Sequence, residues 1–519
     1  MSTGITEQPI GDDEKRDAVA GFATAAEVLA VQRRAYLREG PPTIAVRRHR
    51  IDRLLAMVLD NLDAYVDAMV RDFGTRSRTG ILFAEVMGML STIEHTRSHI
   101  GRWMRPSTPK PMARLYGIRA QVQPTPLGVV GIIGPWNFPL QLVVVPAAAA
   151  FAAGNRVMIK MSEVTAHTAE LTRALARGYF DQAELAVVTG GPEVAAGFAE
   201  LPFDHLFFTG STRVGRLVQR AAATHLVPVT LELGGKNPVV VAPEADISQA
   251  AARIARARMV NGGQVCVSPD YVFVPEARID ALADALRAAF RDMFATITAD
   301  PDYTACVDAA NYERVLGLID DARARGARVD AIAPPGEALP ERVSRKIAPT
   351  IVCDVTDEMP IATEEIFGPV LVLRTYSSIA DVVDHLNERP APLVAYWYGP
   401  DGPDFRTFVR HTRSGGVSRN DFALTMFPEN APFGGVGQSG MGAYRGKAGF
   451  DTFTHYRTVA GADLPFVVTA LAAPPFTRPL RCVIDVVLRF ARRRTRRRVG
   501  GSVPARAPGD SEPNLRLFS

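Results

Sequence analysis

His205-Leu-Phe-Phe-Thr-Gly-Ser-Thr-Arg-Val-Gly215 sets a pattern that much of the chain repeats. An apolar run ends in glycine, and text of helical spacing follows at Val214–Ala223. Such a run reads as a strand feeding a helix, the repeating unit of a parallel sheet. Working outward, short apolar runs recur at Leu127–Ile133, Arg156–Lys160, Leu185–Thr189 and Asn237–Ala242, with more helical text at Ser248–Val260. The expected fold class is therefore α/β with largely parallel sheets. Nearer the N-terminus, Ala25–Arg38 and Pro42–Phe73 space their apolar residues three and four apart, as at Ile51, Leu54, Leu55, Val58 and Leu59, which predicts helices. Residues 1 to 22 are expected to be unstructured, and Pro334–Pro340 to form a surface loop.

Composition agrees with a large enzyme-sized chain. The 519 residues are 47% apolar, enough for more than one core, and 22% charged, which excludes a disordered composition. Cys266, Cys306, Cys353 and Cys482 are scattered, with no CxxC pair and no zinc spacing. No metal site is expected, and so few thiols predict a reduced, cytoplasmic chain. The polar start MSTGITEQPIGDDEKR has no basic region leading into an apolar run, so no secretory signal is expected.

The net charge of +4 hides an asymmetry. From Arg478 to Ser519 there are 11 Arg and 3 acids, a balance of +8, which leaves −4 on the rest. A basic tail on an acidic body predicts an anionic surface as partner and no nucleic-acid-binding fold. Within the tail, Leu480, Val483, Ile484, Val487, Leu488 and Ala491 make one apolar helical stripe, followed at once by RRRTRRR. The stripe is too short to span a bilayer, which takes about 20 residues. It suits a peripheral position on the inner face of a membrane, against the alternatives of packing on the body or remaining a solvated end.

Five further features carry chemistry. In Asn261-Gly-Gly-Gln-Val-Cys266 a thiol framed by glycines can sit on a tight turn under backbone N–H groups, which favour thiolate; the bland alternative is a buried, inert cysteine. Glu232, in Thr230-Leu-Glu-Leu-Gly-Gly-Lys-Asn-Pro238, lies in an apolar strand, where desolvation would make it a base near neutral pH; otherwise it is a strand-end acid paired with Lys236. Gly210–Gly215 opens a helix and offers its N-terminus to phosphate, without the GxGxxG spacing. Gly134-Pro-Trp-Asn-Phe-Pro-Leu140 holds Asn137 between two prolines, as an oxyanion donor or as a structural turn. In Glu364-Glu-Ile-Phe-Gly-Pro369 an acid and a ring two residues apart would share one face of a strand, suited to a ribose; the alternative is a strand-to-turn boundary.

Together GPWNFP, the KxSE segment at Lys160, FTGSTxVG, LELGGKNP, NxGQxC and EEIFGP resemble the aldehyde dehydrogenase superfamily, in its order and with its 34-residue gap from Glu232 to Cys266. The resemblance covers about Ala25 to His455. Pro432-Phe-Gly-Gly-Val-Gly-Gln-Ser-Gly-Met-Gly-Ala-Tyr-Arg-Gly-Lys447 with Phe450–His455 is similar to the class 3 branch of fatty-aldehyde, aromatic-aldehyde and coniferyl-aldehyde dehydrogenases.

The resemblance implies a Rossmann-like cofactor domain (1–106 and 129–231), an α/β catalytic domain (232–416), a small β oligomerisation arm (107–128 with 417–464) and the basic tail (465–519). It implies Cys266 as nucleophile, Glu232 as the base that activates water, and Asn137 with the Cys266 N–H as oxyanion donors. Lys160 and Glu163 would meet the adenosine ribose, Gly210, Ser211 and Gly215 the pyrophosphate, and Glu365 and Phe367 the nicotinamide ribose, with Trp136 also beside the cofactor. NAD is expected first, with NADP tolerated, together with a small-molecule aldehyde and a homodimer. The aldehyde would become a thiohemiacetal, then an acyl thioester, then the acid. Two rivals remain. One is an enzyme that passes the acyl group to coenzyme A, whose relatives generally lack the base at this position; the other is a catalytically silent, membrane-associated scaffold. Two departures from the family pattern stand out. Met161 replaces the usual proline of KPSE, which is expected to loosen that turn, and Gly262 is expected to add backbone freedom near the nucleophile.

Overall fold

The computed structural model describes residues 12–109, 117–462 and 473–500, which divide into two compact units. The larger comprises residues 1–105 and 124–456, the smaller residues 106–123 and 457–519. Among the described residues there are fifteen strands. They are β1 (Ile118–Pro126), β2 (Val129–Ile133), β3 (Arg156–Lys160), β4 (Leu185–Val188), β5 (His205–Gly210), β6 (Val229–Leu233), β7 (Pro238–Val241), β8 (Tyr271–Pro275), β9 (Arg328–Ala331), β10 (Thr350–Cys353), β11 (Val370–Tyr376), β12 (Val394–Tyr398), β13 (Gly416–Arg419), β14 (Gly440–Met441) and β15 (Thr454–Ala462).

The expected α/β class holds. Two sheets form the larger unit, ordered β14-β6-β5-β2-β3-β4 and β13-β12-β7-β8-β11-β10-β9. Only the edge strands β14 and β9 run antiparallel. Parallel strands covered on both faces need unbroken apolar text, and β2, β3 and β7 are buried at every residue. In the first sheet the chain builds outward from β2 through β3 to β4, then returns to lay β5 on the other side of β2. That reversal opens a crevice at the carboxyl ends of β2 and β5, where such sheets bind ligands. From β6 the chain passes through Gly234–Asn237 directly into β7 of the second sheet. The carboxyl edge of the first sheet thereby meets the amino edge of the second.

A buried helix, Gln141–Ala153, follows β2 and is apolar on every side. Glu85 anchors its start. One carboxylate oxygen accepts the Gln141 N–H at 2.8 Å, and the other pairs with Arg76 at 3.3 Å, both side chains being buried. Arg76 in turn lies over the rings of Phe73 and Phe138.

Several expectations change in detail. A helix spans Asp12–Glu39, so residues 12–22 are helical. The reading for residues 1–11 lies outside the described residues. The helical text of Pro42–Phe73 is two helices, Ile44–Leu59 and Leu62–Phe73, broken where Asn61 turns its amide back onto the Met57 carbonyl. Pro334–Pro340 carries no helix or strand, as expected.

In the smaller unit β1 and β15 pair as a two-stranded sheet, and the tail stripe is helical over Arg478–Gly500. Every described side chain of that helix from Arg481 to Val499 is exposed, Val483 and Val487 at 59% each. No described helix is long and apolar enough to cross a membrane. The tail outside 473–500 lies beyond the described residues.

Candidate active site

The loop that carries Cys266 begins where the helix Ile247–Met259 ends. Asn261, Gly262 and Gly263 follow with φ of +51°, +63° and +79°, three left-handed residues in succession. A Cβ on Gly263 would lie 2.2 Å from the Gly368 carbonyl oxygen, and one on Gly262 2.7 Å from that of Thr304. Gly262 is thus required by close packing rather than added for freedom. Gln264 locks the turn. Its amide donates to the Asn261 and Ala305 carbonyls at 2.9 Å each and accepts the Val307 N–H at 3.0 Å. Asn237 donates to the Cys266 carbonyl at 2.7 Å and to Ser268 at 3.0 Å, which ties this loop to the start of β7.

The Cys266 sulfur therefore has a fixed place under its own N–H and that of Val267. Those donors favour thiolate, as the glycine frame suggests, but burial and then the nearby Glu365 and Glu232 carboxyls outweigh them and push the Cys266 thiol up to about 12.

Asn137 reaches the same loop from the end of β2. Its side chain is buried and donates to the Gln264 carbonyl at 3.1 Å, while Asn261 donates to the Asn137 carbonyl at 3.2 Å. An amide has two protons, so one remains for a second acceptor. Glu232, on β6, is 4% exposed, and neither carboxyl oxygen has a hydrogen-bond partner among the described residues. Burial holds its carboxyl well above the usual range, opposed only by the charge of Arg445. Lys236 does not pair with it; its ammonium bonds Asp270 and, at 3.0 Å, the Glu364 carbonyl. Beside Glu232 in register lies Thr209 on β5, whose buried hydroxyl also lacks a partner.

The remaining expected residues border the crevice. Lys160 ends β3, almost fully buried, with its ammonium 2.7 Å from the Met161 carbonyl and 3.5 Å from the Glu163 carboxylate. Met161 does not loosen this turn. It is buried in the core and donates its N–H to Val188 at 3.1 Å, a bond that proline could not make. Gly210 ends β5, Ser211 caps the helix Thr212–Ala223 by accepting the Val214 N–H, and Gly215 packs against Leu233.

Glu365 and Phe367 are not in a strand. They sit in the loop before β11, with Phe367 at φ +52°, because Arg314 donates to the carbonyls of Glu365 and Ile366 while Asp270 accepts the Ile366 N–H. The Glu365 carboxyl lies over Gly234, where a Cβ would be 2.4 Å from its oxygen. Burial and Asp270 raise it to about 8, against the Gly235 N–H and two arginines. The Trp136 ring meets Phe367 edge-on at 5.3 Å.

These residues fit a dinucleotide. A helix start at the switch point, a buried ammonium beside a carboxylate and an unpartnered hydroxyl all front one crevice. Among the described residues no cluster could hold a metal ion. Sequence reasoning overlooked the scaffold of Asn237, Gln264 and Asn261, whose amides give no signal in single-residue reading. It also overlooked Arg445, which stands inside the segment used only to choose a branch.

A model of the aldehyde dehydrogenase family matches residues 19–459. The probable coniferyl aldehyde dehydrogenase of Caulobacter vibrioides is 45% identical over 436 residues, 83% of this chain and 90% of that protein. The coniferyl aldehyde dehydrogenase of a Pseudomonas species (strain HR199) is 42% identical over 85% of this chain and 92% of its own length. The substrate-bound state of Staphylococcus aureus AldH superposes with a TM-score of 0.82 at 32% identity, covering 89% of this chain and 99% of that one.

The resting state of the thiol can be read by alkylation. With iodoacetamide and peptide mapping, exposed Cys482 should label first. Cys266 should react slowly near neutrality and ever faster as pH climbs past 10, since a group raised to about 12 gains thiolate throughout that range. A Cys266 rate that levels off near neutral pH would contradict this.

Proposed function

The chain belongs to the aldehyde dehydrogenase family, and from that membership we propose that it oxidises aromatic and long-chain aldehydes to carboxylic acids through a thioester on Cys266. As a family member it is an NAD(P)-dependent oxidoreductase. The observation that carries the mechanism is the meeting of a fixed thiol, a spare amide proton and an unpartnered carboxyl at one place. The Cys266 thiol gives up its proton to water as its sulfur attacks the aldehyde carbon, and the C=O pair moves onto the oxygen. The Asn137 amide and the Cys266 N–H hold the oxygen, a donor of this kind being worth about 10²–10³ in rate. A bound nicotinamide dinucleotide would accept the hydride that leaves this carbon. Glu232 then takes a proton from water, which releases the acid and restores the thiol. Having this base favours hydrolysis over transfer to coenzyme A.

For the cofactor we place the pyrophosphate at Gly210, Ser211 and Gly215, the adenosine ribose at Lys160 and Glu163, and the nicotinamide side against Glu365, Phe367 and Trp136. Glu163 would accept a ribose 2′-OH and repel a 2′-phosphate, so NAD is preferred and NADP tolerated. The two larger sheets correspond in this reading to the cofactor and catalytic domains. For the substrate, the relatives' names point to phenylpropenyl aldehydes. Exposed Phe83 and Met87 agree, as do exposed Leu424 and Phe427; the two groups are tied by the bond from Ser91 to Glu429. NADH formation with phenylpropenyl, aromatic and long-chain aldehydes, each with NAD and NADP, tests both choices. Highest kcat/KM is expected for phenylpropenyl aldehyde with NAD. Short-chain aldehydes winning, or a clear NADP preference, would contradict the assignment.

The pairing and surface readings rest on the smaller unit. A ribbon of two strands is marginal alone. β15 is exposed beyond its first residue, so a second copy adding strands would complete it. The helix Arg478–Gly500 joins an exposed apolar stripe to an arginine cluster, which suits an anionic bilayer surface at the inner membrane face. Full-length protein should sediment at twice 56.1 kDa, and a chain stopped before Thr477 at twice its own smaller mass. Only the full-length form should co-sediment with anionic vesicles, less so at high salt. Monomers, or equal lipid behaviour of the two chains, would contradict these readings.

A further inference from the structure

The segment Pro432–Lys447 folds as a roof over Glu232. Gly440 of β14 pairs with Glu232 across the edge of the first sheet. Gly434 leaves room for the carboxyl, since a Cβ there would stand 3.0 Å from its oxygen. The segment then brings in Arg445, a buried non-glycine residue with φ +77°. One end of its guanidinium donates to the Met426 carbonyl at 2.6 Å, and its plane lies over the rings of Phe433 and Tyr444, at 5.3 and 5.9 Å. Its Nε–H is buried without a partner.

A strained backbone that carries a buried cation needs a reason, since such conformations persist only where the surroundings hold them. Glu232 supplies one. From β5 it meets the neutral Thr209, from β14 the glycine Gly440, and from the nucleophile loop the Cys266 thiol. Tyr444 of the roof also faces this carboxyl, and burial pushes its phenol up to about 12, while Lys447 pairs with Asp451 instead. Arg445 is the one positive charge among the described residues that acts on the Glu232 carboxyl.

We propose that Arg445 is a positioning residue for the Glu232 base: its guanidinium, held by Met426 and two aromatic rings, is the countercharge that lets this carboxyl lose its proton in an apolar enclosure. Arg445 touches neither substrate nor cofactor; it acts through Glu232. The inference rests on Glu232 being the base of deacylation. Removing the cation leaves an isolated buried carboxyl, which protonates rather than bear an uncompensated charge. Water activation should then fail at neutral pH and return as pH rises. Cys266 attack and the first oxidation should survive, because they do not use the carboxylate.

The test compares wild type, Arg445→Met, Arg445→Lys and Glu232→Gln, each checked for folding by thermal melting. Pre-steady-state NADH bursts and steady-state rates are followed across pH. Arg445→Met should keep its burst, lose about tenfold or more in steady-state rate near neutrality, and show its rising limb moved up by about one pH unit or more. Arg445→Lys should keep the limb near its wild-type place. Infrared titration of the protonated carboxyl band, assigned by its absence in Glu232→Gln, gives a readout besides turnover and should show the same displacement. A folded Arg445→Met with limb and band unmoved, while Glu232→Gln stalls after its burst, overturns the role of Arg445 alone. Glu232→Gln turning over at the wild-type rate overturns the base itself.

Discussion

Among the described residues neither oxygen of the buried Glu232 carboxyl has a hydrogen-bond partner, and a charge on it would disfavour thiolate at neighbouring Cys266. Leaving such a group unsatisfied costs about 1–3 kcal/mol. The enclosure that imposes this is assembled from far-apart stretches of chain. β6 carries the acid to the edge of one sheet, and the chain passes at once into the second. Gly234 lets the Glu365 carboxyl close over the crossing, Gly235 lets Pro392 and Leu393 approach it, and Gly434 and Gly440 let the roof come close to Glu232 and Leu231.

The same economy shapes the Cys266 loop. Three left-handed residues aim Cys266, and side-chain amides hold the loop by backbone carbonyls rather than by packing. Amides at Asn137, Asn237, Asn261 and Gln264 are neutral at every pH, so the geometry survives while Cys266, Glu232 and Glu365 change charge. Burial opposes charge on both the Cys266 thiol and the Glu232 carboxyl, so whatever substrate and cofactor change in their surroundings bears on both groups together. A buried thiol of this kind also resists adventitious oxidation and alkylation, which act on thiolate.

Much of this was legible in the sequence because the relevant signals are local. Strands of a parallel sheet read as short apolar runs, and five of them, three buried at every residue, lie within a few residues of where that text falls. Cys266, Asn137 and Glu232 could be singled out because each sits in an improbable frame of glycine or proline. What could not be read was long-range. That Lys236 would choose Asp270 over Glu232 depends on β8 lying next to β7. The loop at Glu365–Phe367 looked like a strand because its anchor, Arg314, is some fifty residues away. Met161 looked like a loosened turn because the acceptor for its N–H, Val188, belongs to another strand. Arg445 gave no signal, since an arginine among glycines reads as surface until the fold buries it.

The central claim is that acid release proceeds through a thioester on Cys266 that Glu232 must open. Mass spectrometry of the Glu232→Gln protein after mixing with NAD and a phenylpropenyl aldehyde tests it most directly. The account predicts one equivalent of NADH and a stable acyl adduct on the peptide bearing Cys266. No adduct despite NADH formation, an adduct on another residue, or continued turnover at the wild-type rate would contradict it.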